Sequence, residues 1–124
     1  VPSRRWGHAN SLPVVSTMAL DLLQGTLDVL ILKALTWGPR HGYAVAHWLR
    51  HTSADELNVE DGALYTALHR MEHRGLLTAE WGVNDENRRV KLYQLTPSGR
   101  AELGARSSIW SRYVTAVDRV LSAS

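Results

Sequence analysis

The stretch DGALYTALHRMEHRGLL (61–77), followed after a polar turn by RRVKLYQLTPSGR (88–100), decides how this 124-residue chain folds. In the first segment Leu64, Ala67, Leu68 and Met71 recur at the three-and-four spacing of one buried helix face, and Gly75 ends the run. Gly62, Ala63, Tyr65, Thr66, His69, Arg70 and His73 are left on the other faces. Residues 77–81 and 90–95 are strand-like, and the polar residues 82–87 between them supply a turn, so the pair predicts a hairpin. Tyr93 and Leu95 share one hairpin face with Lys91, while Val90 and Leu92 share the other. A helix and a basic hairpin in this order predict a mainly α fold with a small β-hairpin, a winged helix-turn-helix. That is the architecture of a regulator, not of a catalyst.

Working upstream, residues 42–51 give a short helix with Tyr43, Ala46 and Leu49 facing in and His47, Arg50 and His51 facing out. A polar turn at 52–58 joins it to the helix that Asp61 is suited to cap. Two helices so joined, the second with small and polar residues at its exposed start, suit insertion into a major groove. Small side chains allow close approach, and Tyr65, Thr66, His69 and Arg70 can donate to phosphates or base edges. Read alone, the same segment also fits the solvated face of any amphipathic helix. The first helix begins at Asp21 or Thr26 and runs to Thr36, with Asp28 near the positive end of its dipole. Leu27, Leu30, Ile31, Ala34 and Leu35 form one face, and Val29 and Leu32 make the other side apolar. A helix apolar on two sides is covered on two sides, the second time by a partner subunit.

Downstream, Thr96 and Pro97 mark a helix start, the threonine as cap and the proline where its missing N–H costs nothing. No further proline interrupts residues 97–122, which span about 39 Å at roughly 1.5 Å per residue. Leu103, Trp110, Tyr113, Val117, Val120 and Leu121 form its apolar stripe. So long a stripe overhangs a small domain, and a homodimer is the simplest way to bury it. The expected organisation is a flexible N-terminal extension (1–17), a DNA-binding domain (18–96) and a dimerisation helix (97–124).

Composition bounds the partners. The chain has no cysteine, which excludes disulfides and thiolate chemistry and fits a reducing cytoplasm. Its longest apolar run, 27–35, contains Asp28 and Lys33 and is far short of the roughly 20 residues a membrane span needs. The N-terminal residues lack the pattern of a secretory signal, and Met18 is a candidate biological start. The formal charge is +2, and without residues 1–17 twelve basic side chains face twelve acidic ones. A nucleic acid must therefore be met by a local patch, for which Arg88, Arg89 and Lys91 are the visible cluster, with Asp85 and Glu86 opposing it.

Two other patterns compete. His69-Arg70-Met71-Glu72-His73 matches the H-x-x-E-H of inverted zinc peptidases, and His47 and His51 form another pair at four-residue spacing. No third ligand is evident for either pair, so neither a metal nor a cofactor is expected. A neutral winged helix used only for protein contacts is the second rival.

Four segments together resemble the PadR-type transcriptional regulators, of the short subfamily with a single C-terminal helix. They are QGTLDVLILKAL (24–35), GPRHGYAVAHWLR (38–50), GALYTALHRMEHRGLL (62–77) and NRRVKLYQLTPSGR (87–100), in the family's order and spacing. The resemblance implies a dimeric winged helix-turn-helix repressor on an inverted-repeat operator, often at its own promoter. It puts Tyr65 in the place of a recognition-helix tyrosine that touches the DNA backbone, and Arg88, Arg89 and Lys91 in the wing. It implies a dimer in which the last helix packs with the partner's first, assigning Leu27, Val29, Leu32, Leu103, Trp110, Tyr113, Val117, Val120 and Leu121 to the interface. Multidrug-responsive relatives hold flat aromatic compounds between tryptophans of the C-terminal helices, and IWSRYVTAVDRVL (109–121) is similar to that stretch, with Trp110 as the stacking residue. A seam-filling role for Trp110 stands beside that one.

Overall fold

The computed structural model describes residues 20–21 and 25–124, so the expectations for residues 1–17 and for the start at Met18 lie outside the described residues. The chain runs β1 (Leu20–Asp21), α1 (Thr26–Ala34), β2 (Arg40–His41), α2 (Gly42–Thr52), β3 (Leu57–Asn58), α3 (Asp61–His73), β4 (Leu77–Val83), β5 (Arg89–Leu95) and α4 (Pro97–Leu121). The mainly α winged-helix reading holds. The predicted hairpin is β4 and β5, antiparallel with Leu77 opposite Leu95 and Val83 opposite Arg89. β2, which the sequence reading passed over, adds a third strand by pairing Arg40 with Tyr93 and His41 with Leu92. A two-residue strand has no periodicity to read. β1 pairs in parallel with β3, so Asp21 lies in a strand and the first helix begins at Thr26.

The three short helices and the sheet share one core, in which Ile31, Leu32, Val45, Leu64, Leu68, Met71, Leu77 and Tyr93 are almost wholly enclosed. Leu64, Ala67, Leu68 and Met71 form the buried stripe of α3 as expected. On α2 the phase differs: Gly42, Val45, Ala46 and Leu49 are buried, while Tyr43 is 67% exposed and stacks on His41. Gly42 takes the inward position because the Tyr65 ring lies over it.

α1 also turns differently. It buries Asp28, Ile31, Leu32 and Ala34, with Leu35 at its C-cap, so Ile31, Ala34 and Leu35 turn inward as expected while Leu32 and a carboxylate join them. Leu27 and Leu30 are only partly buried against the core. Leu32, expected at a subunit interface, is fully enclosed within its own protomer and has no surface to offer a partner.

The start of α3 deviates because a side chain finds a partner other than the local backbone. Glu60 is the N-cap of α3 without a side-chain bond, and Asp61 instead accepts from Arg50 at 3.1 Å. Gly25 precedes α1 in a left-handed conformation (φ 85°) and caps it without a side-chain bond. Thr96 does cap α4: its Oγ1 accepts from the Gly99 N–H at 3.0 Å while donating towards the Gly75 and Leu76 carbonyls. A side chain at Gly99 would collide with the Leu76 carbonyl, so α4 leaves the hairpin in close contact with it. Leu103 leans on the core and Arg106 reaches Asp28 of α1, while the later turns of α4 are largely exposed.

Candidate nucleic-acid interface

Three elements build one open cleft of about 940 Å³. Tyr65 and His69 of α3 form one wall, the β4–β5 wing the other, and His41, Gly42 and Tyr43 the floor. The floor exists because β2 pairs with β5 and delivers the start of α2 beside the wing. His41 caps that helix, its Nδ1 accepting from the Ala44 N–H at 3.1 Å. A methyl group on Gly42 would lie 2.5 Å from the Tyr65 ring. Tyr65 is thus seated on a bare backbone, half-exposed at the mouth of the cleft.

The wing tip is organised by Asn84. Its Oδ1 accepts from the Glu86 and Arg88 N–H groups at 3.0 and 2.9 Å, and Asn87 adopts a left-handed φ of 61° to close the turn. Once this turn is set, Trp81 faces Lys91 across the hairpin and Arg89 lies diagonal to it. The Arg89 guanidinium sits 4.4 Å from the centre of the Trp81 ring, which is 60% exposed. Among the described residues neither Arg88 nor Arg89 has a carboxylate partner. Lys91 differs: its ammonium pairs with Glu72 of α3 at 3.1 Å, and that hydrogen bond raises its pKa. Below it Tyr93 is buried, which pushes its phenol up from the ordinary value. Asp85 and Glu86 also line the cleft and temper its positive charge.

Of the residues expected to meet DNA, Tyr65, His69, Arg88, Arg89 and Lys91 therefore converge on one cleft. Gly62, Ala63 and Thr66 are exposed on α3 beside it, and no heavy atom comes within 4 Å of a Cβ built on Gly62. Arg70 is placed otherwise. It lies on the flank of α3 turned to α1, and its guanidinium donates to both oxygens of Asp28 at 2.7 and 2.9 Å. Sequence reading treated both residues separately because 42 positions divide them. It also missed Trp81, His41 and Gly42, whose roles depend on strand register.

The histidine patterns find other employment. Glu72, the base of the H-x-x-E-H reading, is held by Lys91, and His69 faces the cleft. His47 and His51 are exposed and stack on each other at 6.3 Å. Among the described residues no group of three or more potential ligands is placed to hold a metal ion. No helix among them is long and apolar enough to cross a membrane.

A second surface lies on α4. Ile109, Trp110, Tyr113, Val117, Val120 and Leu121 are all exposed, and α4 buries only Gly99 in its own protomer. Between α1 and α4 a smaller cavity of about 340 Å³ is lined by Val29, Arg106, Ile109, Trp110 and Tyr113, with Gly25 and Thr26 at its edge.

Comparison with known proteins agrees with this geometry. The model of the Transcriptional regulator PadR-like family matches residues 31–105. Transcriptional regulator Rv3488 of Mycobacterium tuberculosis is 44% identical over 57 residues, covering 45% of this chain and 52% of that protein. Among solved structures, a PadR family transcription regulator from Clostridium difficile superposes with a TM-score of 0.69 at 27% identity, over 79% of this chain and 100% of the other. A PadR family regulator from Eggerthella lenta gives 0.71 at 26% identity, over 98% of this chain and 99% of its own. With the matched segment running from the core of α1 through the wing into α4, the chain belongs to the PadR-like family of transcriptional regulators.

Proposed function

We propose that this chain is a homodimeric repressor that binds an inverted-repeat operator in double-stranded DNA, in the cytoplasm and without catalytic chemistry. The observation that carries the reading is the cleft in which the exposed side of α3 faces the arginines of the wing, which have no carboxylate partner among the described residues. α3 enters the major groove with Gly62, Ala63, Thr66 and His69 towards the base edges, and Tyr65 holds a phosphate at the cleft mouth. Arg88 and Arg89 neutralise phosphates alongside. The domain's balanced charge makes this local patch, not the bulk, the source of attraction.

The exposed row on α4 supports the dimer: Trp110, Tyr113, Val117, Val120 and Leu121 pack on the partner together with Val29 and the outer parts of Leu27 and Leu103. A two-fold axis there presents two α3 helices to successive major grooves, which is why the operator is an inverted repeat. The α1–α4 cavity beside Trp110 is the place for a planar aromatic effector, whose ring stacks on the indole and releases the DNA.

Footprinting on the chain's own upstream region, combined with a salt titration, tests the proposal. A protected palindrome and an affinity that falls steeply with salt, by roughly 0.9 in log–log slope per phosphate contact, are expected. Absence of protection together with a flat salt dependence would move the winged helix into the class of protein-contact modules.

A further inference from the structure

Asp28 is the one charged side chain that is buried among the described residues. Arg70 reaches it from α3 as a fork, Nη1 to Oδ2 at 2.7 Å and Nη2 to Oδ1 at 2.9 Å. Arg106 of α4 adds a second cation 3.5 Å from the same Oδ2. A forked guanidinium–carboxylate pair fixes both the direction and the plane of the arginine head group. The head group of Arg70 is therefore held on the α1 flank of α3, opposite the flank on which Tyr65 meets Gly42.

Yet Arg70 follows His69 directly on the outer half of α3, and its side chain is 47% exposed. Released from Asp28, so long a side chain reaches the surface that carries Thr66, His69 and His73. A guanidinium there would bind phosphate with no regard to sequence.

We propose that Asp28 is a specificity-determining positioning residue for DNA binding: it withholds Arg70 from the phosphate backbone. The assignment rests on the reading of α3 as the DNA-facing helix. Phosphate contacts strengthen binding to every duplex alike, so each cation kept back lowers affinity for random DNA more than it lowers discrimination. Arg106 completes the device, because a second cation on Oδ2 keeps the carboxylate ionised and anchored to α4. The recognition helix thus meets DNA with its reading side chains forward and one strong, sequence-blind charge held aside.

The test is the salt dependence of binding to a random-sequence duplex, measured with the full chain. Asp28→Asn should bind that duplex severalfold more tightly and steepen the log–log slope by about 0.9, the value of one phosphate. Arg70→Gln should leave the slope as in the wild type, and adding Asp28→Asn to Arg70→Gln should change nothing further. If Asp28→Asn alone fails to fold, Arg70→Gln decides: an unchanged slope supports the assignment, and a slope reduced by about 0.9 overturns it, since Arg70 is then itself a phosphate contact. An Asp28→Asn slope equal to that of the wild type also overturns it and leaves the pair a structural tie. An Asp28→Asn variant that binds just as a DNA-binding wild type does removes this assignment alone. A wild type that binds no duplex removes the DNA-binding reading and this assignment with it.

Discussion

The carboxylate of Asp28 ties the stability of the fold to acid. The hydrogen bond from Arg70 holds its pKa below the ordinary carboxylate value against the opposing effect of burial, with the charges of Arg70, Arg106 and Arg74 acting in the same direction as the bond. A carboxyl with a lower pKa in the folded than in the unfolded chain binds fewer protons when folded. Its contribution is complete above the unfolded value of about 3.9 and is lost as pH falls through the lower folded value. Urea unfolding should therefore show a midpoint that drops between about pH 5 and pH 3, with a shallower drop in Asp28→Asn. Equal slopes would place the acid sensitivity elsewhere. Gly42 makes a second residue-level prediction. In Gly42→Ala the new methyl would overlap the Tyr65 ring, so Tyr65 must leave its seat. DNA affinity should fall by about one phosphate contact, roughly 0.9 in the salt slope, with subunit association unchanged. The same substitution in a Tyr65→Ala background should have no further effect on binding.

At the level of elements, the wing is useful only because its tip is rigid and its base is packed. Asn84 closes the turn with two backbone hydrogen bonds, and Tyr93 and Leu95 fasten β5 to the core. Between these ends Arg89 rests on Trp81, which limits its conformational freedom. Replacing Arg88 and Arg89 together by alanine should weaken binding to all duplexes and lower the salt slope by up to about 2. Thermal stability should hardly move, since neither arginine has an ion-pair partner among the described residues. A slope left intact would take the wing out of the contact set. Lys91 should behave differently from the two arginines, because removing it also strands Glu72 on α3.

For the whole molecule, α4 is the element whose length one protomer does not justify. A 25-residue helix that buries only a glycine near its start gains little from its own domain, and its exposed apolar row is the surface that the proposed dimer would cover. Trp110, 40% exposed and 6.1 Å from Tyr113 between ring centres, is the natural anchor of that contact. Trp110→Ala should weaken association by roughly 2 kcal/mol, or about thirtyfold, which sedimentation at graded concentrations can read. Operator binding should fall with it while the fold of each protomer persists. An unchanged dimer would assign Trp110 to the effector cavity and not to the seam.

The period of apolar residues along 61–77, the hairpin at 77–95 and the Thr96–Pro97 helix start were legible without coordinates, because each is a local pattern that the backbone enforces within a few residues. So were Tyr65, Arg88 and Arg89 as members of one surface. The inward turn of Asp28, the capture of Arg70, the pairing of Lys91 with Glu72, the outward turn of Tyr43 and the enclosure of Leu32 were not. Local periodicity sets which residues share a helix face but not the angle at which that face meets its neighbours. A buried carboxylate is tolerated only where distant cations converge on it. The sequence alone thus determined the helices, the hairpin and their order, and the residue types of the candidate surface. The tertiary structure decided which charges are left free to use it.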